Sequence, residues 1–518
     1  MTSSADVSER SHAMEDVEMR PVKRSKVEEA ESAPSRRLAH PFGVKPIGNY
    51  YEEVAKGVRD CRAPGLGRFH ALSDLLMLNF LNWLAPQELC TLSLCSRASY
   101  VFASHDELWR TLVLEEMEGN FTPEKTWKQS YITTKTGKPE LGRKLRPISV
   151  QGLYSDLLFQ AFYCAAAPIE SSWLAIETID RRSATEMTLE QFKIEYEAGN
   201  KPVIITEAIH TWPAIEKWSD EYLIKTCGAQ TFIAGGFDFS MGQYLHYSRT
   251  LIDDQPLFIF DKFFAGNVPA LAADYTVPEY FQEDFFSYLG GKRPDYRWLI
   301  IGPKKSGSSF HIDPNSTNAW NGVIRGSKKW IMFPPDIVPP GVHPSEDGAD
   351  VSSPVSLMEW FVTFYPQVKK LPAHQRPLEG ICREGEILFV PNGWWHIVLN
   401  IEESIAITQN FVCRGNVKNV VRFLEEKTDQ VSGLPCERRH ELKSMFRDAM
   451  QHHQSQLLEQ IDAELAEERA RKNRKSKWEL LLEGENGNAT SDASTEPSSE
   501  STTAQSSGGF SFGFSFAP

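Results

Sequence analysis

The sequence lacks any stretch of roughly 18 to 20 uncharged apolar residues, the length that a membrane-spanning helix requires. Its first residues mix charges of both signs and contain no apolar signal core, so we expect an intracellular protein without a membrane partner. The eight cysteines include no C-x-x-C pair, which argues against structural zinc fingers and against a dense disulfide framework. Leucine-rich and WD repeats are absent as well.

The chain also has no excess of basic residues. Its 55 Lys and Arg residues face 69 Asp and Glu residues, which gives a formal net charge of −14. This balance argues against a general nucleic-acid-binding protein and suits a basic protein partner, such as a histone-like peptide. With 41% hydrophobic residues among 518, the chain can bury a sizeable core and is long enough for several domains.

The two ends of the chain are poor in apolar periodicity. Residues 1–45 are predicted to be a disordered arm, and residues 483–518 a low-complexity tail. Basic clusters at 20–26 and 469–477 resemble nuclear signals, so the nucleus is the expected location. The second cluster belongs to a predicted helical extension, residues 415–482. The sequence leaves open whether this cluster contacts RNA, a nuclear importer or only solvent.

Residues 65–118 have apolar side chains at helical spacing. The first of these are Leu72, Leu75, Leu76, Phe80, Leu81 and Leu84. Pro86 is placed where a second helix can begin, because proline is tolerated in a first helical turn. The pattern therefore predicts a small all-helical module, followed by a linker at 119–170.

Residues 171–414 change to short β-rich runs separated by Pro and Gly turns, such as KPVIIT, KKWIMF and SIAITQNFV. This pattern predicts an antiparallel barrel or sandwich. Within it, His311 and Asp313 are two residues apart, so on a strand both side chains project to the same side and can chelate one ion. An H-x-D pattern alone is weak evidence, because it arises by chance in many chains.

A second segment strengthens the metal interpretation. GEILFVPNG reads as a strand and a tight turn, and WWH then begins the next strand with His396. Two imidazoles and one carboxylate can hold Fe(II) on one face and leave other coordination positions open. Zinc or manganese can bind the same three ligands, so the triad alone does not determine the metal.

The stretches YRWLIIGPKKSGSSFHIDPNSTNAWNGVIRGSKKWIMFP and GEILFVPNGWWHIVLNIEESIAITQNF resemble a JmjC domain. The resemblance is closest to the subgroup of phosphatidylserine-receptor-like lysyl hydroxylases and arginine demethylases. It implies a double-stranded β-helix, the cupin-like jelly roll, that uses Fe(II) and 2-oxoglutarate. The expected fold is then mainly β with α, with the helical module before the barrel and the helical extension after it.

The resemblance also implies roles for individual residues. The metal and catalytic residues are His311, Asp313 and His396. The cosubstrate contacts are Lys328, Asn321, Thr408, Asn410 and Ser308. Lys328 would pair with the distal carboxylate of 2-oxoglutarate, whose burial needs a cation to offset its desolvation. Ser308 stands where relatives often have Thr. Trp395 can pack beside the metal or serve as an ordinary core aromatic.

The helical module resembles an F-box, with a Leu-rich opening, an APQEL helix start and a closing DELWR. The resemblance implies that its apolar stripe docks on the adaptor subunit of an SCF-type ubiquitin ligase. A short helical bundle that only buttresses the barrel is the alternative.

Two functions of different classes follow. The first is an oxygenase that hydroxylates protein Lys or demethylates methyl-Lys or methyl-Arg, with hydroxylation slightly favoured by the subgroup resemblance. The second is an F-box adaptor whose barrel serves mainly to bind substrates.

Overall fold

The computed structural model describes residues 38–143 and 148–472. The predicted basic cluster at 20–26 and the low-complexity tail lie outside these described residues, as does most of the cluster at 469–477. The helices that precede the main sheet are α1 (Tyr50–Ala55), α2 (Arg62–Leu66), α3 (Asp74–Leu81), α4 (Pro86–Ser93), α5 (Arg97–Phe102), α6 (Asp106–Met117), α7 (Trp127–Thr136), α8 (Pro139–Arg143), α9 (Asp156–Ala166) and α10 (Ser171–Leu174).

The helices around and after the sheets are shorter on average until the C-terminal extension. They are α11 (Leu189–Phe192), α12 (Pro213–Lys217), α13 (Asp220–Cys227), α14 (Met241–Thr250), α15 (Phe264–Asn267), α16 (Pro269–Ala273), α17 (Leu357–Thr363), α18 (Tyr365–Val368), α19 (Val417–Glu426), α20 (Glu441–His453) and α21 (Ser455–Lys472). Within the described residues, no helix combines the length and the apolar composition needed to cross a bilayer.

The strands alternate with Pro- and Gly-containing turns, as the sequence pattern predicts. They are β1 (Asp180–Ser183), β2 (Val203–Thr206), β3 (Thr231–Ala234), β4 (Phe237–Ser240), β5 (Ile259–Asp261), β6 (Arg297–Gly302), β7 (Gly307–His311), β8 (Asn318–Arg325), β9 (Ser327–Phe333), β10 (His343–Pro344), β11 (Val351–Ser352), β12 (Leu378–Arg383), β13 (Ile387–Val390), β14 (Trp395–Asn400) and β15 (Ser404–Phe411).

Eight of these strands form a double-stranded β-helix. One sheet has the order β12-β9-β14-β7, and the other contains the run β13-β8-β15-β6 within a longer sheet that β1 to β5 extend at its edges. All pairings among the eight strands are antiparallel. The predicted jelly-roll fold is therefore confirmed, and the space between its two sheets is the place where a ligand site can form.

The helical module is helical as its pattern predicts, but Leu75 and Leu76 of the predicted apolar stripe are exposed and do not belong to the buried face of α3. The Ser73 hydroxyl accepts the backbone N–H of Leu76 at the start of α3, and Pro86 is the first residue of α4, as expected. Met77 and Leu81 of α3 are fully buried. Because these residues are four apart, they lie on one face of the helix and pack into the core.

Two predicted boundaries need correction. The arm was expected to extend to residue 45, but Val44 is buried and the backbone of Lys45 is hydrogen-bonded to Leu153 and Ser155. The stretch 119–170 was expected to be a linker, yet it contains α7, α8 and α9 and buries Trp127. The apolar side chains in this stretch pack against residues distant in sequence, for example Phe121 against Phe239, which local periodicity does not reveal.

The C-terminal extension packs on the barrel through its own apolar cluster. Val420 and Leu424 of α19 and Phe446 and Met450 of α20 are buried together with Phe286, which precedes β6. Their spacing of four residues places each pair on one helix face. The extension is thus part of the folded unit that carries the barrel.

Candidate active site

A cavity lies between the two sheets of the jelly roll and includes about 860 Å³ of open space. On several strands the residues that line it are two apart, for example Lys328 and Trp330 on β9, because successive side chains of a strand point to opposite faces. His396 with Val398 on β14, and Thr408 with Asn410 on β15, follow the same alternation.

The predicted metal triad meets in this cavity. Candidate ligand atoms of His311, Asp313 and His396 all lie within 4.8 Å of one another. His311 ends β7 and is directly opposite His396 on β14, so the sheet register brings the two rings to a centroid distance of 4.1 Å. Asp313 lies in the turn after β7. These three side chains present two imidazole nitrogens and a carboxylate to one point in space.

Hydrogen bonds orient both imidazole rings. Nδ1 of His311 lies 2.8 Å from the carbonyl of Ser309, and Nδ1 of His396 lies 3.0 Å from the carbonyl of Trp394. Because a carbonyl only accepts, each Nδ1 carries the proton, and each Nε2 has the lone pair that a metal requires. Burial lowers the pKa of both histidines to about 4, so both rings are neutral at pH 7.

Asp313 is the charged member of the triad. Burial raises the pKa of Asp313, while the neighbouring His311 and a hydrogen bond from the Asn410 amide lower it. A carboxylate in this position needs a cation to offset its desolvation, and a divalent metal bound by the triad would supply it.

Lys328 lies at the deeply buried end of the cavity. Its side chain is 2% exposed, and its Nζ donates to Oδ1 of Asn400 at 2.9 Å. Among the described residues no carboxylate forms an ion pair with it. Burial lowers the pKa of Lys328 to about 8. The neighbouring Lys329 points to the opposite face of β9 and pairs with Glu379 at 2.8 Å, so the two adjacent lysines have different environments.

All the other predicted cosubstrate residues line the same cavity: Asn321, Thr408, Asn410 and Ser308. Thr408 is directly opposite Asn321 in the pairing of β15 with β8. The Thr408 hydroxyl donates to the carbonyl of Trp320 at 2.9 Å, and the Asn410 amide donates to Thr317 at 2.7 Å. The structure thus brings together every site residue that the sequence motifs indicated.

Sequence reasoning missed several residues of the cavity wall, among them two tryptophans. Trp298 and Trp330 line the cavity, and the Trp330 ring lies 5.7 Å from the His396 ring. Trp395, considered as a neighbour of the metal, is buried on the other face of β14 and is not part of the cavity wall. Asn400, which anchors Lys328, was also not foreseen. The alternation along β6 and β9 is the signal that would have indicated the two tryptophans.

Comparison with known proteins identifies the family. Residues 253–414 match the family model described as a cupin-like domain. The chain is 44% identical over 452 residues to "Arginine-specific demethylase JMJ22" of Arabidopsis thaliana, covering 86% of this chain and 88% of the relative. It is 37% identical over 286 residues to "Bifunctional arginine demethylase and lysyl-hydroxylase psr-1" of Caenorhabditis elegans, covering 52% of this chain and 68% of that protein.

A more distant similarity concerns the "2-oxoglutarate and iron-dependent oxygenase JMJD4" of Mus musculus, which is 30% identical over 188 residues, or 36% of this chain and 41% of that protein. The chain belongs to the JmjC family. It is an oxygenase that depends on Fe(II) and 2-oxoglutarate, so the predicted enzyme class and cofactors are confirmed.

The cavity of this JmjC protein fits both cofactors. Three buried polar atoms in its wall have no hydrogen-bond partner among the described residues: Nε1 of Trp298, Oδ1 of Asn321 and Nε1 of Trp330. A ligand rich in oxygen atoms can accept from both indole N–H groups, and the Asn321 amide can turn to present its NH₂ group. Together with the buried cation of Lys328, these atoms suit a dicarboxylate bound next to a metal.

Proposed function

We propose that this JmjC protein oxidises basic side chains of proteins, and that the N-methyl groups of methylated arginine are its main substrates. The observation that carries the proposal is the His311, Asp313 and His396 triad in one cavity with the buried cation of Lys328. An iron centre and an anion site side by side are what an oxygenase of this class needs.

Each polar side chain of the site has a task in this proposal. The triad holds Fe(II), Lys328 binds the distal carboxylate of 2-oxoglutarate, and Asn321 and Thr408 orient that cosubstrate from the facing sheet. Ser308 and Asn410 complete its surroundings. When bound, iron and 2-oxoglutarate supply the oxidation, in which oxygen and 2-oxoglutarate become succinate and CO₂ while one oxygen atom enters a substrate C–H bond.

The names of the relatives support the choice of substrate. JMJ22 is called an arginine-specific demethylase, and psr-1 is called both an arginine demethylase and a lysyl hydroxylase. The sequence favoured lysyl hydroxylation slightly, but the high identity to JMJ22 over most of both chains shifts the weight to methylated arginine. Both reactions use the same site, since oxidation of a methyl group bound to nitrogen ends in loss of formaldehyde, whereas oxidation of a lysine methylene leaves a hydroxyl.

Mass spectrometry of peptides incubated with purified protein, Fe(II) and 2-oxoglutarate tests the proposal. Matched peptides with one central methylarginine, unmethylated arginine or lysine should distinguish the products. We expect loss of one methyl group and release of formaldehyde from the methylarginine peptide. Gain of one oxygen atom on the lysine peptide alone would instead establish a lysyl hydroxylase.

The His396→Ala variant serves as the control because it removes one metal ligand without changing the mouth of the cavity. Succinate release by wild type, but not by this variant, would show that the cofactor site works. Succinate release without modification of any basic peptide would contradict the proposed substrate class.

We also propose that the helical module docks on the adaptor subunit of an SCF ubiquitin ligase. The support is the exposure of four large apolar side chains, here called the exposed patch: Leu75 and Leu76 of α3, Trp83 after it, and Leu94 after α4. These side chains are 61%, 55%, 86% and 86% exposed. Large apolar side chains grouped on a surface usually mark a protein-binding site.

Binding of the purified adaptor tests this second proposal. The double variant Leu75→Glu, Leu76→Glu should lose binding, because it places two charges in the patch, and should keep succinate release. Asp313→Ala should keep adaptor binding and lose succinate release. Equal adaptor binding by wild type and the Leu variant would contradict the proposal and leave the module as a buttress of the barrel.

We propose a nuclear location for the protein, on the basis of the two basic clusters in the sequence. A fluorescent fusion in which the Lys and Arg residues of 20–26 are replaced by Ser should lose nuclear accumulation. Retention in the nucleus after the same replacement in both clusters would contradict this proposal.

A further inference from the structure

The mouth of the cavity is built by two segments distant in sequence. Asp295, just before β6, lines the cavity together with Ser432 and Gly433 of the C-terminal extension. The backbone N–H of Asp295 donates to the carbonyl of Gly433 at 2.9 Å. Ser432 is held in turn by two hydrogen bonds of 2.9 Å between its backbone and the Asn315 side chain. The extension therefore positions Asp295 at the rim.

Asp295 belongs to the metal side of the cavity. The carbonyl of the next residue, Tyr296, accepts the backbone N–H of Asn410 at 2.6 Å, and the Asn410 side chain reaches Asp313. Lys328 lies in the opposite direction, because it is paired with Asn400 on β14. Asn400 is four residues along this strand from His396, so the backbone positions of these two residues are roughly 13 Å apart. The cavity thus has a cation at its inner end and a carboxylate at its rim.

The Asp295 carboxylate has acceptor capacity to spare. Nζ of Lys262 donates to its Oδ2 at 2.7 Å. The Lys262 side chain is 22% exposed and the Asp295 side chain is 30% exposed. No donor among the described residues reaches the other oxygen, Oδ1. Because a carboxylate has about four acceptor positions, a second cation can bind beside Lys262.

Aromatic side chains form the wall next to this carboxylate. Phe260 and Trp298 are stacked with their ring centroids 5.3 Å apart, and both line the cavity with Phe258. Trp298 is 5% exposed, and its Nε1 has no partner among the described residues. An aromatic wall packs against a methylene stem and attracts a cation at its faces.

We propose that Asp295 is a specificity-determining residue that binds the cationic end of a substrate Lys or Arg side chain while the aromatic wall holds its stem. This inference rests on the proposed function, because it assigns a substrate class to the same cavity. It differs in its prediction, since it concerns charge selection at the rim and not the oxidation itself.

Peptide binding to the full-length, metal-free protein tests the inference without depending on turnover. The probes are fluorescein-labelled Gly/Ser nonapeptides with one central Lys, Arg or norleucine, and the readout is the Kd from fluorescence anisotropy. Asp295→Asn keeps the shape of the side chain but removes its charge, so it should weaken binding of the Lys and Arg peptides by about tenfold and leave norleucine binding unchanged. Asp336→Asn, at an exposed site outside the cavity, is the matched control.

Lys262→Met separates recognition from mere structure. If Asp295 recognises the substrate, removing its competing cation should tighten binding of the Lys and Arg peptides by about threefold. If Asp295 only pairs with Lys262, both variants break the same ion pair and should change binding in the same direction, which would overturn the inference. So would a wild-type protein that binds the norleucine peptide as tightly as the Lys peptide.

The proposed function is judged separately by the peptide products of the wild-type protein. Oxidised peptides with no effect of Asp295→Asn would leave the proposed function standing and remove this inference. Charge-selective binding without oxidation of any peptide would contradict the proposed function and leave the binding role of Asp295 standing.

Discussion

In the helical module, large apolar side chains lie on the surface, whereas in the barrel, charged and polar side chains lie in the interior. Leu75, Leu76 and Trp83 are exposed although they neighbour fully buried residues of the same module. Lys328 is buried without a carboxylate among the described residues, and Asn321 leaves an oxygen without a donor. The module thus exposes side chains of a kind that is usually buried, and the barrel buries side chains of a kind that is usually exposed.

The two departures indicate different kinds of partner. An exposed apolar group gains free energy when another apolar surface covers it, which suits a protein. A buried polar group gains free energy when a ligand supplies the missing hydrogen bond or charge, which suits a small anion or a metal. The module therefore has the features of a docking surface, and the barrel those of a cofactor site.

The regions nevertheless share one hydrophobic core. Met77 and Trp109 of the module belong to the same cluster of buried side chains as Phe239 of β4. Nε of Arg110 in α6 lies 3.5 Å from Oδ2 of Asp253. Removal of the module would therefore expose core residues of the barrel side. Single substitutions, with thermal unfolding as a check, separate the roles of the two regions better than truncations do.

The largest effect is expected from the metal triad. Asp313→Ala removes a metal ligand. Loss of a residue that only supports a ligand lowers metal affinity or activity by about 10- to 100-fold, so loss of the ligand itself should lower turnover by more than about 100-fold. Succinate release measures this, with Trp83→Ala in the module as the matched control. Comparable losses in both variants would contradict the division of tasks between the two regions.

The adjacent lysines of β9 sharpen the comparison within the barrel. Lys329→Met leaves Glu379 buried without its cation, so the free energy of unfolding should fall by roughly 3–5 kcal/mol. Lys328→Met removes a buried cation that has no carboxylate among the described residues, and it should not lower stability in this way. It should instead weaken 2-oxoglutarate binding by about tenfold or more.

Chemical denaturation and isothermal titration calorimetry measure the two effects separately. A destabilised Lys328→Met protein with normal 2-oxoglutarate affinity would reverse the assignment of the two lysines. The lowered pKa of Lys328, about 8, adds a check: 2-oxoglutarate affinity should decline as the pH rises through about 8, because the neutral amine no longer attracts the anion.

Leucines of α3 make the same distinction in the module. Leu78→Ala truncates a buried side chain and should lower the free energy of unfolding by about 2–5 kcal/mol. Leu76→Ala, at an exposed position two residues earlier, should change it by less than about 0.5 kcal/mol and weaken only adaptor binding. Urea titrations compare the two variants, and equal losses would show that the patch is covered in the folded chain.

Much of the site was predictable because most of its residues belong to strands with a period of two, although Asp313 lies in the turn after β7 and not on the strand. Short motifs contain the residues His311 and Asp313, Lys328, and the pair Thr408 and Asn410. The alternation of side chains along a strand determines which of them share a face. Their meeting in space follows from the order of strands in a double-stranded β-helix. Family motifs therefore located the cofactor site well.

The rim was not predictable by the same reasoning. Asp295 lies in a loop, and the segment at Ser432 is held near it only by tertiary hydrogen bonds. Asn400 owes its role to the register that places it opposite Lys328. In the stretch 119–170, Trp127 is buried and packs against Tyr247, which is distant in sequence. Contacts between distant segments leave little trace in local patterns.

A pH-dependent effect is expected where the module meets the barrel. Burial, with the nearby charge of Asp253, raises the pKa of Asp106 to about 7. A carboxyl group whose pKa rises on folding binds its proton more tightly in the folded protein, so stability falls as the pH rises from about 4 to about 7. Asp106→Asn should remove this contribution, which amounts to at most about 1.4 kcal/mol per pH unit. Thermal unfolding at about pH 5 and about pH 8 measures it against Glu115→Gln, an exposed position on the same helix. If wild type and Asp106→Asn respond equally to pH, Asp106 is charged in the folded protein, and the contact between module and barrel is insensitive to protonation.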